Sequence, residues 1–181
     1  MDEIHEMRRR NQDIAEKFRL IEDEISTSGD TLELFETLVF RIEKDFSIPF
    51  VWLSIVDRPE LTVLIRELQL SANLADRINI IDEKVFLDLT SNSEVPVLAN
   101  ENLKPFYRLL PRNNKYLIRS LAIAPLWVTG VIIGSVNHGD SSAHRYEPSM
   151  DTALLGQMAA KVSACLARLL PVTAESEEHG G

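Results

Sequence analysis

Apolar residues in the first 27 positions recur at alternating spacings of three and four, which is the pattern of an α-helix with one apolar face. No proline or glycine interrupts residues 3–27, and the spacing matches a heptad repeat with its seam at positions a and d. We therefore predict a coiled-coil-like helix over residues 1–28. The predicted dimer interface along its seam consists of Ile4, Met7, Asn11, Ile14, Phe18, Ile21 and Ile25.

The polar residues of this helix favour a parallel dimer. Asn11 occupies an a position, where a buried asparagine prefers to face its own copy and thereby fixes the register. In a parallel pair, Glu3 would face Arg8 of the second helix, and Lys17 would face Glu22, so both e/g pairs are opposite in sign. The alternative stays open that the helix packs its stripe on its own domain, because a seam this short is marginal for a coiled coil.

A second helix and a β-hairpin are predicted next. Asp30 suits an N-cap and Glu33 completes a capping-box-like pattern, so the second helix should run over about residues 31–46. Residues 50–57 are rich in β-formers, a proline-containing turn follows, and residues 61–68 are apolar again. These two runs predict the strands of a hairpin.

Shorter elements occupy the middle of the chain. Short strands are predicted at residues 79–81 and 95–99, with a helix at residues 83–90 between them that Asp82 would cap. Residues 100–117 are polar and contain two prolines, and such a long excursion in a compact domain is typical of a functional or mobile loop.

The strongest strand signals lie near the end of the chain. Residues 118–127 and 131–138 are apolar on both faces, which predicts central strands that are covered on both sides. Gly134 and Gly139 interrupt the second of these, so another group should approach its backbone closely. An amphipathic closing helix is predicted after Pro148.

The element order defines the predicted organisation of the 181 residues. A helix over 1–28 precedes a domain over 29–171, and the acidic residues 172–181 form a disordered tail. Runs of strands between terminal helices predict an α+β fold with an antiparallel sheet.

Three segments near the end of the chain resemble a known domain family. Residues 119–126 read RSLAIAPL, residues 131–135 read VIIGS, and residues 144–150 read HRYEPSM before a leucine-rich helix. This series is similar to the GAF domain superfamily and, within it, to a bacterial GAF-like family of unknown function, although that family has Phe at Tyr146 and Gly at Ser149. The resemblance covers about residues 30–170. It implies an antiparallel sheet of about six strands with the N- and C-terminal helices on one face and a small-molecule pocket on the other.

On a GAF template, the pocket walls would come from the first strand, the crossover and the last two strands. The side chains there that could orient a ligand by stacking, hydrogen bonding or charge are Trp52, Ser54, Tyr107, Arg119, Ser120 and Asn137. The alternative reading is ordinary core packing for Trp52 and surface or loop packing for Tyr107 and Arg119. The sequence does not identify the ligand.

The sequence contains no pattern that indicates catalysis, so we predict a non-enzymatic protein with no metal and no cofactor. His138 and His144 have no cysteine or paired carboxylate near them, so we interpret them as surface or strand-end histidines. Cys165 lies on the apolar stripe of the closing helix, which indicates an inert core thiol. The bilin-attaching and methionine-sulfoxide-reducing GAF proteins instead need cysteines in the pocket. No nucleophile–base pair can be assembled.

Composition narrows the functional class further. The net charge of −9 argues against a nucleic-acid partner, since phosphate binding needs a basic surface. A single cysteine fits a reducing compartment, and the charged first residues do not resemble a secretory signal, so we expect a cytoplasmic protein. No segment reaches the roughly 18 apolar residues of a membrane span.

We expect a non-catalytic, GAF-like sensory or regulatory module. It would form a homodimer and bind an unknown small molecule. It would signal to an unknown protein partner in trans, since no output domain is recognised in the sequence. The alternative is a ligand-free scaffold that mediates protein–protein interaction through its helices.

Overall fold

The computed structural model describes residues 2–111 and 114–170. The predicted tail, residues 172–181, lies outside this part of the chain. The helices are α1 (Asp2–Ile25), α2 (Thr31–Phe46), α3 (Thr62–Leu70), α4 (Glu83–Thr90) and α5 (Ala153–Leu169). The strands are β1 (Phe50–Val56), β2 (Ile78–Ile81), β3 (Val97–Ala99), β4 (Ser120–Val128) and β5 (Val131–Asp140).

The strands form one sheet in the order β2-β1-β5-β4-β3. The pairs β1–β5, β5–β4 and β4–β3 are antiparallel, whereas β1 and β2 run parallel. The α+β class is therefore confirmed. The sheet nevertheless has five strands in the described residues rather than about six, and it is mixed rather than wholly antiparallel.

The predicted hairpin over residues 50–57 and 61–68 is wrong, because its second half is helix α3. Leu61, Leu64 and Leu68 are buried and are spaced three and four residues apart, which is a helical period. Val63 is 66% exposed, as expected for the outer face of a helix. Parallel strands require a crossover connection, and α3 with the residues that follow it supplies the one between β1 and β2.

The predicted starts of the second and fourth helices are confirmed. The Asp30 carboxylate accepts a hydrogen bond from the Glu33 N–H at 2.8 Å, and the Glu33 carboxylate accepts one from the Gly29 N–H at 3.0 Å. Asp82 caps α4 by accepting from the Val85 N–H at 3.3 Å. Each cap satisfies backbone donors that the first helical turn leaves without partners.

The central strands are buried along most of their length, as predicted, and one glycine allows them to approach each other. A Cβ atom at Gly134 would overlap the backbone carbonyl oxygen of Ser54 on β1. On the other side of β5, helix α5 packs against β4, where the Ser163 hydroxyl accepts a hydrogen bond from the Trp127 N–H at 3.1 Å. Helices therefore cover the sheet at β4, where α5 packs, and at β1, where α2 packs.

Helix α1 is only partly attached to the rest of the chain. Phe18, Ile21 and Ile25 lie in the core that α1 shares with α2 and α5. Towards its N-terminus the helix extends into solvent, and Ile4 and Met7 are 57% and 63% exposed. The described chain thus has one core, to which the second half of α1 contributes.

Candidate functional site

Three of the six residues predicted to line a pocket meet on one face of the sheet. Trp52 on β1 pairs with Asn137 on β5, and Ser54 lies two residues further along β1 on the same face. All three are buried. The structure therefore brings these three predicted residues together from two strands that are far apart in the chain.

Hydrogen bonds within this group satisfy the polar atoms internally. The Asn137 Nδ2 donates to the Ser54 hydroxyl oxygen at 2.9 Å. The Ser135 hydroxyl donates to the Asn137 Oδ1 at 2.7 Å. Ser54, Ser135 and Asn137 have no exposed surface, so this network lies out of reach of solvent.

The loop before β4 covers the same face. The Trp52 Nε1 donates to the Leu109 carbonyl oxygen at 2.8 Å, and the Asn79 Nδ2 donates to the Arg108 carbonyl oxygen at 3.0 Å. Leu109 and Leu110 are buried in the hydrophobic core. The long polar excursion thus folds back over the predicted pocket face, and its leucines pack there.

The other three predicted pocket residues lie elsewhere. Ser120 is on the opposite face of the sheet, where its hydroxyl donates to the Ser142 carbonyl oxygen at 2.6 Å. Arg119 is exposed. Tyr107 is 37% exposed and packs edge-on against the Tyr116 ring, with 6.2 Å between the centroids. These three residues do not share a site with Trp52 and Asn137, because the alternation of the strand and the path of the loop separate them.

His138 is a buried residue that the sequence prediction placed at the surface or at a strand end. It lies inside β5, on the face towards the helices, and is 3% exposed. Its position two residues after the buried Val136 was the available signal, since residues i and i+2 of a strand share a face. Burial, together with the positive charge of Arg145, lowers the pKa of His138 to about 4, so the imidazole is neutral near pH 7.

Tyr146 and Arg145 lie beside His138. The Tyr146 hydroxyl oxygen is 3.4 Å from the His138 Nδ1. Burial raises the pKa of the Tyr146 phenol well above its usual range, so the hydroxyl keeps its proton. Arg145 donates from Nη2 to the Phe46 carbonyl oxygen at 2.6 Å, and its Nη1 is 3.6 Å from an Asp140 carboxylate oxygen.

These residues line a cleft of about 540 Å³ between α1 and the end of β5. Its walls include Ile14 and Phe18 of α1 and Leu154 near the start of α5. This volume falls within the range of small-molecule sites, roughly 300–1,000 Å³. The cleft lies on the helix side of the sheet, away from the predicted pocket face.

Solved structures similar to this chain include two GAF domains. The GAF domain of a phosphoenolpyruvate-protein phosphotransferase from Coxiella burnetii superimposes with a TM-score of 0.62, covering 93% of this chain and 98% of that one at 16% identity. The equivalent domain from Acinetobacter gives a TM-score of 0.58, covering 84% and 92% at 14% identity. This chain has a GAF fold. The fold that the sequence resemblance implied is thereby confirmed.

An enzyme shares the same fold. The free methionine-R-sulfoxide reductase of Neisseria meningitidis, solved in complex with its substrate, gives a TM-score of 0.54, covering 83% of this chain and 87% of that one at 15% identity. At such identities the likeness shows the fold alone. No protein-family model and no curated protein sequence matches the chain, so the closer resemblance to one bacterial GAF-like family stays a prediction.

The chain has a second cleft, of about 790 Å³, at the opposite end of β5. Four of its polar side chains already have hydrogen-bond partners within the cleft. Arg58 donates two hydrogen bonds to the Glu83 carboxylate, at 2.8 and 3.0 Å, and Thr31 donates to Glu67 at 3.4 Å. This cleft is larger than the one beside His138, but these polar groups need no further partner.

The other groups that could support catalysis or metal binding are dispersed over the described residues. Within residues 2–111 and 114–170, no three His, Cys, Asp or Glu side chains are grouped so that they could hold a metal ion. His144 is exposed and lies 3.1 Å from a Glu147 carboxylate oxygen, and Cys165 is buried in α5. None of the helices in this part of the chain combines the length and apolar character that a membrane span requires.

The seven residues of the predicted α1 seam have three different environments. Phe18, Ile21 and Ile25 are buried in the core of their own chain, so they are not available to a second copy. Asn11 and Ile14 lie at the wall of the His138 cleft. Ile4 and Met7 project into solvent. The alternative reading, in which the helix packs on its own domain, therefore describes the second half of the seam.

The two predicted charge pairs also lie in different environments: Lys17 and Glu22 lie beside their own domain, whereas Glu3 and Arg8 do not. The Lys17 ammonium lies 5.9 Å from the centre of the Phe46 ring of its own chain. Glu22 is partly buried, which raises the pKa of its carboxyl group, while Lys161 on α5 favours the charged form. The pair Glu3–Arg8 remains on the exposed half of the helix.

Proposed function

We propose that this GAF domain is a non-catalytic regulatory module that acts as a homodimer. It binds a small molecule, and binding changes the packing of the core against α1. The exposed half of α1 engages a protein partner in trans. The observation that carries the proposal is the division of one apolar stripe on α1. Phe18, Ile21 and Ile25 fix one end of the helix in the domain core, whereas Ile4 and Met7 leave the other end exposed. A helix attached in this way connects the inside of the domain to a second molecule.

The dimer we propose is shorter than the sequence alone indicates. It uses the exposed residues Ile4 and Met7, with Asn11 at the edge of the domain and Glu3–Arg8 as the pair of opposite charges. Large apolar side chains on a solvated helix face are typical of an interaction surface when they follow the heptad pattern. A seam of this length gives a weak dimer, so its association should depend on concentration.

Light scattering and sedimentation of the full chain test this proposal. Met7→Glu places a charge at a d position and should shift the protein to monomer at micromolar concentrations without loss of fold. The matched control is Arg9→Glu, which lies on the outer f position of the same heptads and should leave association unchanged. A wild-type protein that is monomeric over the whole concentration range would rule out the dimer.

One observation favours the alternative, a ligand-free scaffold. On the predicted pocket face, Asn137 is satisfied by Ser54 and Ser135, and the loop residues Leu109 and Leu110 pack over the same region. A scaffold should show no rise in its thermal midpoint with any metabolite, because only a ligand that prefers the folded state raises that midpoint. Partner capture that depends on α1 would then support the scaffold.

The proposal includes a non-enzymatic role and a cytoplasmic location. The non-enzymatic role is supported by the dispersal of the nucleophilic and acid–base groups among the described residues. Cys165 lies in the core, and no carboxylate lies within hydrogen-bond distance of His138. The single cysteine supports a reducing compartment. Methionine sulfoxide reduction assayed with the purified chain tests the first point, since a measurable turnover would contradict it.

A further inference from the structure

We propose that the cleft between α1 and the end of β5 binds a small, mostly apolar molecule that presents a carbonyl or carboxylate oxygen to the His138 Nε2. This inference adds a site and a ligand class to the regulatory function proposed above. It places the ligand on the helix side of the sheet, not on the face that Trp52 and Asn137 occupy. All residues of this cleft belong to one chain, so a monomer also contains the complete site.

The first observation is an unpartnered polar atom at the cleft. Among the residues that the structure describes, the His138 Nε2 is the one buried side-chain nitrogen or oxygen without a hydrogen-bond partner. Folded proteins satisfy nearly all such atoms, because leaving one unpaired costs the desolvation of that group. An exception on a residue that lines a cleft indicates a partner that enters from outside the chain.

 The second observation concerns which nitrogen of the His138 imidazole carries the proton. The Tyr146 phenol is protonated, and its oxygen lies 3.4 Å from the His138 Nδ1. The Arg145 guanidinium interacts with the phenol oxygen by hydrogen bonding and charge, so that oxygen turns its lone pairs towards Arg145 and its proton towards Nδ1. A neutral imidazole that accepts at Nδ1 carries its own proton on Nε2. Nε2 is therefore a donor, and the missing partner is an acceptor.

The walls of the cleft define the rest of the ligand. Ile14, Phe18 and Leu154 offer an apolar surface, so the body of the ligand should be aliphatic or aromatic. The charged groups that face His138 are Arg145 and, through it, Asp140, while Asp151 lines the cleft further out. Arg145 is partly neutralised by Asp140, so both a neutral carbonyl and a carboxylate are compatible with the site. A metal ion is not, because His138 belongs to no group of three His, Cys, Asp or Glu side chains that could hold one among the described residues.

Helix α1 couples this site to the proposed function. Nε2 is shielded from water, so an oxygen reaches it only when side chains of the cleft wall shift. Asn11, Ile14 and Phe18 belong to that wall, and the same helix projects Ile4 and Met7 into solvent. A ligand that changes how α1 packs on the domain would change the position of its exposed end and thereby the affinity of the dimer. Dimerisation would then change the affinity for the ligand by the same factor.

The test uses the full chain with His5, His144 and His179 each changed to Gln, which leaves His138 as the single histidine. The probes are three molecules of similar shape: 4-methylpentanoate, 4-methylpentanamide and 2-methylhexane. Imidazole ¹⁵N and ¹H NMR reports on Nε2 directly. We expect the carboxylate or the amide, or both, to shift the Nε2–H signal and to bind about fivefold or more tightly than the hydrocarbon, which is the contribution of one hydrogen bond.

Two further measurements complete the test. His138→Phe keeps a ring in the cleft but removes the donor, so the preference for the oxygen-bearing probes should disappear. Binding by 2-methylhexane as tight as by the other two, an Nε2 signal that none of the probes moves, or a crystal structure of the probe-soaked protein with only a water on Nε2 would overturn the proposal. Light scattering on the same samples reports the dimer separately, so failure of ligand binding and failure of the dimer remain distinguishable.

Discussion

The side-chain amide of Asn137 on β5 donates a hydrogen bond to the Ser54 hydroxyl on β1, at 2.9 Å, where neither residue has exposed surface. The two residues are 83 positions apart in the chain. The bond joins the two strands side by side on the face that a GAF template would reserve for a ligand. It therefore gives that face a structural role in this chain.

Replacing Asn137 should destabilise the fold. Asn137→Ala leaves the hydroxyls of Ser54 and Ser135 without their partner and creates a cavity, so the free energy of unfolding should fall by about 2–4 kcal/mol. Chemical denaturation measures this. Arg119→Ala, at an exposed residue of the same predicted pocket, is the control and should change stability by less than about 0.5 kcal/mol. Wild-type stability in Asn137→Ala would instead indicate that the amide does not stabilise the fold and is available to bind a ligand.

Two glycine substitutions should have effects of opposite sign. Gly134→Ala would drive a methyl group into the Ser54 carbonyl oxygen, which is backbone and cannot move aside, so a loss of about 3 kcal/mol or more is expected. Gly156→Ala on α5 is the matched control. Its Cβ would meet Pro96 at 3.6 Å, an ordinary contact, and alanine favours the helix by about 0.5–1 kcal/mol. Thermal unfolding should separate the two variants, and equal effects would show that the strand spacing is not fixed by Gly134.

Stability should depend on pH through His138. The pKa of His138 is about 4 in the fold and 6.5 in the unfolded chain, so between these values the unfolded chain binds a proton that the folded chain does not. The free energy of unfolding should therefore fall as the pH is lowered from 6.5 to 4, by up to about 3 kcal/mol from this residue.

Denaturation curves of His138→Phe and wild type across this pH window isolate the contribution. The variant should lose the His138 part of the slope, whereas His144→Gln, at an exposed side chain, should retain the wild-type slope. Parallel curves for His138→Phe and wild type would mean that the imidazole takes up its proton as readily in the fold as in the unfolded chain.

The two halves of α1 should respond differently to truncation of their side chains. Ile21→Ala opens a cavity in the core and should cost about 2–5 kcal/mol. Met7→Ala, on the same stripe but in solvent, should change the stability of the dilute protein by less than about 0.5 kcal/mol. Comparable losses at both positions would show that the first half of α1 also packs on the domain.

Local patterns in the sequence were sufficient for several elements. The N-caps at Asp30 and Asp82 depend on a side chain and a backbone group three residues away, so they can be read from neighbouring residues. The hairpin of β4 and β5 was equally accessible, because two long apolar runs flank a short turn with a glycine. Residues 61–68 misled the prediction, since a run of Leu, Val and Ile suits a strand as well as a helix and only its packing against neighbours selects the helix.

The sequence by itself determined the order of most helices and strands, the close approach at Gly134 and the resemblance to GAF domains, because these depend on residue types at short or regular spacings. Only the tertiary structure decided which side chains meet. It closed the face around Trp52 with a loop more than 50 residues away, buried His138 beneath α1, and divided the α1 stripe between core and solvent. Each of these outcomes depends on contacts between segments that are distant in sequence, and the energies of such contacts cannot be predicted from the pattern of neighbouring residues.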